Sequence, residues 1–231
     1  MGGIYMKKIL IIKKICSVIT IVIFTWFTII SPVFAAEGLP NGASVQHGDV
    51  TISNPQQNTL LIDQRSQEAI IDWLSFSIAS GNSVNFNQPD AGSIALNRVT
   101  GGSISEIFGN LTANGRVWLL NPSGIIFGPG SKINTAGFLA STLNINNNDF
   151  MNQAYVFTRS GDTNGYVINQ GEISVTDGGY VSLLGSAVEN QGLIQAQLGK
   201  VILASGEKMA LELDSDGTMC VAIDGPITSV V

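Results

Sequence analysis

The sequence predicts an all-β protein, wound as a right-handed parallel β-helix of about 20–21 residues per coil with an N-terminal cap. Three observations carry this expectation. The first is an internal repeat with an offset of 21 residues. Val167-Ile168-Asn169-Gln170-Gly171-Glu172-Ile173 reads against Val188-Glu189-Asn190-Gln191-Gly192-Leu193-Ile194, Gly178 aligns with Gly199 and Gly185 with Gly206, so that seven of 21 positions are identical. The second is the spacing of turn residues. From Gly38 onward, Gly, Asn and Asp cut the chain into short apolar or alternating stretches roughly 8–12 residues apart, with no amphipathic helix of useful length. The third is composition: 45 % apolar, 12 % charged and 26 Gly. Such a chain is too apolar and too weakly charged for disorder and suits many short strands joined by turns.

The first 36 residues stand apart. Lys7, Lys8, Lys13 and Lys14 precede an apolar run from Ile15 to Ile30, and Ser31-Pro32-Val33-Phe34-Ala35-Ala36 follows. A basic start, an apolar centre and small residues at the end are the three parts of a secretory signal peptide. Residues 1–35 are read as that peptide, cleaved between Ala35 and Ala36, and residues 36–231 as the mature domain. A membrane anchor is the competing reading, because the run approaches the roughly 20 residues that span a bilayer. The four lysines leave with the peptide, so seven basic residues face 17 acidic ones and the net charge falls from −6 to −10. An acidic surface argues against nucleic acid and anionic lipid. Cys16 leaves too, so Cys220 has no internal disulfide partner and is expected to be a small buried apolar residue.

Within the mature chain, residues 38–65 do not share the later repeat and are the expected cap, with coils from about 66 to 225. Leu74, Phe76 and Ile78 alternate with Ser75 and Ser77, a period-2 strand. Ser103-Ile104-Ser105-Glu106 fits a capping box and predicts a short helical turn. Val117 to Leu120 is a short apolar run that ends at Asn121-Pro122-Ser123-Gly124, read as a type I turn with Pro at the second position. In the repeat, Val167, Ile173, Val175, Val181 and Leu183 should point inward. Val188, Ile194, Ala196, either Val201 or Ile202, and Ala204 should lie beneath them. Asn169 and Asn190 should stack as an amide ladder, with Gly171 and Gly192 at positive φ in a tight corner. About 190 residues at roughly 20 per coil predict eight to nine coils, a rod of some 40 Å. The cap closes one end, and the C-terminal end is expected to stay open to further coils.

Several segments, in order, resemble the filamentous haemagglutinin N-terminal domain, also called the two-partner secretion domain. They are Ile71-Asp72-Trp73, Leu96-Asn97-Arg98-Val99-Thr100-Gly101-Gly102, Ala113-Asn114-Gly115-Arg116-Val117, Asn121-Pro122-Ser123-Gly124-Ile125-Ile126-Phe127-Gly128 and Met209 to Gly217. The resemblance covers roughly residues 38–225. It implies passage by the Sec machinery and signal peptidase, then recognition of the extended chain by the POTRA domains of an outer-membrane β-barrel transporter. Folding at the surface of a Gram-negative-type cell would nucleate the rest of a secreted, haemagglutinin-like exoprotein. The family's Asn-Pro-Asn-Gly-Ile motif falls on Asn121, Pro122, Ser123, Gly124 and Ile125, with Ser123 in the third place. Leu96, Asn97, Arg98 and Val99 form the second candidate for transporter recognition. The family's other motif, Asn-Pro-Asn-Leu, is not intact; Asn87-Gln88-Pro89-Asp90 lies near its place.

Catalysis is not expected. Parallel β-helix enzymes that cleave polysaccharides need clustered carboxylates or a basic residue on the outer face, and here the acidic residues are scattered. His47 is the only histidine and reads as a surface turn residue. Asp214-Ser215-Asp216-Gly217 lacks the further ligands of a calcium loop and reads as a hairpin turn. No catalytic, metal or cofactor residue is assigned, and the domain is expected to act as a monomer. The alternatives are an adhesin rod that binds carbohydrate or a host ligand directly, and a polysaccharide-degrading enzyme.

Overall fold

The computed structural model describes residues 38–161, 165–213 and 219–225. The proposed cleavage site at Ala35-Ala36 and the loop from Asp214 to Gly217 lie outside them. In chain order the strands are β1 (Ser44–His47), β2 (Val50–Gln56), β3 (Thr59–Gln64), β4 (Glu68–Trp73), β5 (Ser83–Asn87), β6 (Ile94–Val99), β7 (Ser105–Ile107), β8 (Asn110–Ala113), β9 (Arg116–Leu120), β10 (Ile125–Phe127), β11 (Lys132–Thr135) and β12 (Gly137–Ser141). A short helix, α1 (Asn147–Met151), precedes β13 (Tyr155–Thr158), β14 (Tyr166–Asn169), β15 (Glu172–Val175), β16 (Tyr180–Gly185), β17 (Ala187–Asn190), β18 (Leu193–Ala196), β19 (Lys200–Ser205), β20 (Lys208–Leu213) and β21 (Met219–Gly225).

These strands build a β-solenoid of about seven turns with three walls. The first wall runs β1-β4-β6-β9-β12-β16-β19, the second β17-β14-β10-β7 and the third β18-β15-β11-β8-β5-β3-β2. Strands of successive coils pair in parallel, except at the N-terminal end. There β1 lies antiparallel to β4 and β2 antiparallel to β3, closing the stack by reversing chain direction. The register of β2 breaks between Ser53 and Gln56, around Asn54-Pro55, which blunts its outer edge. Leu39, Val50 and Ile52 cover the inner core from this end. The parallel stack starts at β3, which pairs with β5, so coils begin at Thr59 rather than near residue 66. They end at Ser205, because β20 and β21 leave the stack for an antiparallel sheet with β13. About seven turns replace the eight to nine expected, because the cap, the excursion through α1 and β13, and this hairpin consume chain without adding a rung.

Two apolar cores follow from the wall structure. The inner one holds Leu60, Ile71, Trp73, Val117, Phe127, Ile133, Phe138, Ile173 and Leu183 among others. The third wall is solvated outside, and its strands alternate more and less exposed residues, buried against exposed in β11 and half-buried against exposed in β18. The first wall is different: β12 and β16 are buried at every position. Its outer face, with Ile70, Leu96, Trp118, Leu139 and Leu184, packs under α1, β13 and β20 as a second core. Strands covered on both faces read as continuous apolar runs.

The repeat holds its 21-residue offset in two walls, where Val167 pairs with Val188 and Ile173 with Ile194. In the first wall it slips by one, so Val181 pairs with Val201 and Leu183 with Leu203. A one-residue slip turns each side chain to the opposite face. Val201 and Leu203 therefore face inward, while Ile202 and Ala204 face the second core; Ala204 was expected inside. The slip arises at a corner one residue shorter, where Leu198 takes φ 54° in place of Gly178 at φ 79°.

Four other expectations are corrected. Ser105 lies in β7 and not in a helix, because β7 pairs with β10 and cross-coil bonding overrides a weak local cap. Leu74 to Ile78 forms no continuous strand: Leu74 lies at a bend, and isolated bridges join Ser75 to Asn41 and Ile78 to Ile107, with Leu74 60 % exposed. Cys220 is exposed on β21. Gly171 and Gly192 do not adopt positive φ; they are glycine because of close approach. A Cβ on Gly192 would run into the Gly171 carbonyl oxygen, and one on Gly171 into the Ser131 hydroxyl. Gly192→Ala should therefore cost about 1–3 kcal/mol by overpacking. Gly102→Ala, which meets nothing within 4 Å, should stay within about 0.5 kcal/mol of the parent. Urea unfolding midpoints of the two variants test the contrast.

Candidate functional site

The motif Leu96 to Val99 occupies β6, where alternation gives each residue a separate environment. Leu96 enters the second core and Val99 the inner one. Asn97 sits inside, in the column Ile71–Asn97–Leu119. Its Oδ1 accepts from Trp73 Nε1 at 3.0 Å, and its Nδ2 donates to the carbonyls of Ala95 (3.1 Å) and Trp118 (3.4 Å). Both halves of the amide are satisfied, as burial requires. Arg98 faces outward yet is only 13 % exposed. Its Nη1 pairs with Asp72 Oδ1 at 3.1 Å, its Nε donates to Asn144 Oδ1 at 2.9 Å and its Nη2 to the Ile145 carbonyl at 2.7 Å. Arg98 thus fastens the start of the α1 excursion to the first wall.

The second motif is a corner. Gly124 N–H donates to the Asn121 carbonyl at 3.0 Å, closing a turn across Pro122 and Ser123, and Ser123 N–H donates to Asn121 Oδ1 at 3.0 Å. Asn121 is wholly buried. Its Nδ2 donates to the Ser103 carbonyl (3.0 Å) and to Ser105 Oγ (2.9 Å), tying this corner to the preceding coil. Gly124 takes φ 127°, a conformation that glycine adopts at little cost. Ile125 then enters the inner core.

At the next corner Asn169 Nδ2 donates to Asn190 Oδ1 at 2.7 Å, and Gln170 Nε2 to Gln191 Oε1 at 2.9 Å. A second ladder went unread in the sequence: Gln88 Nε2 donates to Gln64 Oε1 at 3.2 Å, and the Asn114 amide grips both Gln88 N–H (2.7 Å) and its carbonyl (2.6 Å). The recurrence of a side-chain amide at Gln64, Gln88 and Asn114, 24 and 26 residues apart, was the available signal. Also unread was the centre of the second core. Trp118 packs edge-on to Phe150 and Tyr155, and its Nε1 donates to Tyr180 Oη at 2.7 Å. The Arg116 guanidinium lies 5.8 Å from the Tyr180 ring centre. Burial pushes the Tyr180 hydroxyl well above its ordinary pKa, so it stays neutral and hydrogen-bonded. Val117 to Leu120, apolar without alternation, carried this signal.

The side chains gathered at these sites fasten coils to one another and to the start of the α1 excursion. His47 is exposed on β1 and Lys200 Nζ lies 3.5 Å from Cys220 Sγ. Among the described residues no group of three or more His, Cys, Asp and Glu could hold a metal. The unsatisfied feature is the C-terminal end of the solenoid. There, among the described residues, β17, β18 and β19 each have a neighbour on one side only. The inward faces of Val188, Ile194 and Ala196 are partly covered, and Val201 and Leu203 are each 45 % exposed.

The family model described as the TPS secretion domain matches residues 36–225. A heme/hemopexin-binding protein of Haemophilus influenzae strain Rd is 41 % identical over 225 residues, which cover 93 % of this chain and 24 % of that protein. Another heme/hemopexin-binding protein of Haemophilus influenzae is 45 % identical over 112 residues, 48 % of this chain and 12 % of that one. The chain therefore spans a quarter or less of the curated relatives it matches. The crystal structure of the HMW1 secretion domain from Haemophilus influenzae aligns with a TM-score of 0.74 at 35 % identity, over 82 % of this chain and 50 % of the other.

Asn97→Ala should leave Trp73 Nε1 buried without a partner and cost about 1–3 kcal/mol. Denaturant unfolding, followed by a change in the fluorescence of folded Trp73, measures it; an unchanged midpoint would contradict the role.

Proposed function

Because the chain belongs to the family of TPS secretion domains, we propose that it targets an exoprotein to its outer-membrane transporter and then nucleates that exoprotein's fold. Residues 1–35 act as a Sec signal peptide removed between Ala35 and Ala36. The POTRA domains of a β-barrel transporter bind the extended chain in the periplasm, and folding follows at the cell surface. The observation that carries this reading is the asymmetry of the two ends. The N-terminal end is sealed by antiparallel β1 and β2, whereas among the described residues the C-terminal end presents three strand edges and inward apolar residues that are only partly covered. A following coil would bury those side chains, at roughly 1.5–3 kcal/mol for each one fully covered. Docking coil on coil supplies free energy stepwise where no nucleotide is at hand.

Burial of the motifs sets the order of events in this reading. Asn97 and Asn121 are 0 % exposed once folded, so a transporter that reads them must do so beforehand. The lack of internal disulfides leaves the chain free to thread a narrow pore. No catalytic step is assigned.

Expression of the chain with its residues 1–35 in a Gram-negative host, with and without the transporter, tests the proposal. Protease-resistant β-structure in the medium only when the transporter is present, with an N-terminus at Ala36, is the expected result. Transporter-independent release, or a stable folded domain held in the periplasm regardless, would overturn it. In vitro, the urea-unfolded chain should bind the transporter's periplasmic domains, and the prefolded domain should not.

A further inference from the structure

The two cores close by different means. Inner-core contacts join neighbouring coils, so each forms as soon as the next rung is laid. The outer core needs two distant segments. One is the excursion of α1 and β13, which supplies Phe150, Tyr155 and Phe157. The other is β20, which arrives only after the last coil and supplies the buried Met209 and Leu211. It pairs antiparallel with β13, Tyr155 against Leu211 and Phe157 against Met209. Arg159 pairs with Glu207 at 3.3 Å where the hairpin leaves the solenoid. The hairpin also returns to that corner, since Lys208 stands opposite Gly225, and β20 and β21 pair with β13 and with each other but with no strand of the three walls.

We propose that β20 and β21 form a clasp, and that its docking on β13 closes the outer core in a separate step after the solenoid has formed. Contacts between segments far apart in sequence form after local ones, because loop closure must be met first. The bearing on export rests on the secretion reading above. A chain emerging in order would keep the outer face around Trp118 unfinished until the hairpin had crossed, so closure would mark complete passage of the domain. The folding order itself does not depend on that reading.

The mature chain carries one tryptophan in each core, Trp73 inside and Trp118 outside. Purified single-tryptophan proteins, Trp73→Phe to report the outer core and Trp118→Phe to report the inner one, test the clasp without any transporter. On refolding from urea, Trp73 burial should lead and Trp118 burial should lag several-fold in rate. Adding Met209→Asp with Leu211→Asp should leave Trp73 shielded while acrylamide quenching of Trp118 rises several-fold. Pulsed hydrogen exchange on the unsubstituted chain should protect β9 and β12 before β13 and β20. A shared rate constant for both tryptophans with simultaneous protection of these strands, or a Trp118 that stays shielded in the double variant, would overturn the proposal. Failure here leaves the secretion assay untouched, and failure there leaves this order of closure intact.

Discussion

The constraint on which the structure depends is parallel register between coils. Each strand pairs with its counterpart one turn on, so a column of side chains runs the length of each wall and must keep one character. The column Ile71–Asn97–Leu119–Ala140–Leu183–Leu203 is apolar but for one amide. A single dropped residue would invert a strand, and at the corner between Ala196 and Lys200 one is dropped relative to the corner between Val175 and Tyr180. The protein accommodates it because Val201 and Leu203 face the inside as well as Ile202 and Ala204 face the outside. A wall buried on both faces tolerates a slip that a half-solvated wall would not.

The same buried wall explains what was legible in the sequence. The repeat, the turn spacing and the inward residues of β14 and β15 could be read directly, since burial alternates along both strands and alternation is a local signal; the inward Val181 and Leu183 of β16, a strand buried at every position, were legible only from their place in the repeat. The second core could not be placed from periodicity, because Val117 to Leu120 has none. Its lid comes from residues around 150 and around 210, so nothing local announces it. The glycines were identified as corners for the wrong physical reason: Gly171 and Gly192 are spaces through which backbones pass, and sequence alone does not separate close approach from positive φ. Ser103 to Glu106 carries a local helix signal that the amide of Asn121, 16 residues beyond Ser105, overrides by bonding across coils.

The residues that resemble family motifs turn out to be fasteners. Asn97 holds Trp73, Asn121 holds the preceding coil and Arg98 holds the lid. Their requirements are geometric: an amide must both donate and accept inside an apolar column, and only a guanidinium offers donors at the spacing of Asp72, Asn144 and Ile145. Such residues commit the chain to one register. That is a demanding task in a repeating fold, where neighbouring registers are nearly alike in apolar content. Buried amides discriminate between them because a misplaced amide loses partners and a misplaced leucine loses little.

A repeating stack also distributes its stability unevenly along the chain. The first coil has no neighbour beneath it, and an isolated rung cannot cover its own apolar face. Here the antiparallel β1 and β2, with Leu39, supply that missing neighbour from the N-terminal side. Once the cap holds the first rung, each later rung meets a formed edge and a formed apolar floor, and its cost of ordering is offset at once. The outer core follows the opposite rule, since its lid waits for the last described strands. A chain built this way gains order in one direction from a fixed start and completes its outer face last. Those two features suit the proposed role, in which structure would grow behind the advancing chain as it arrives.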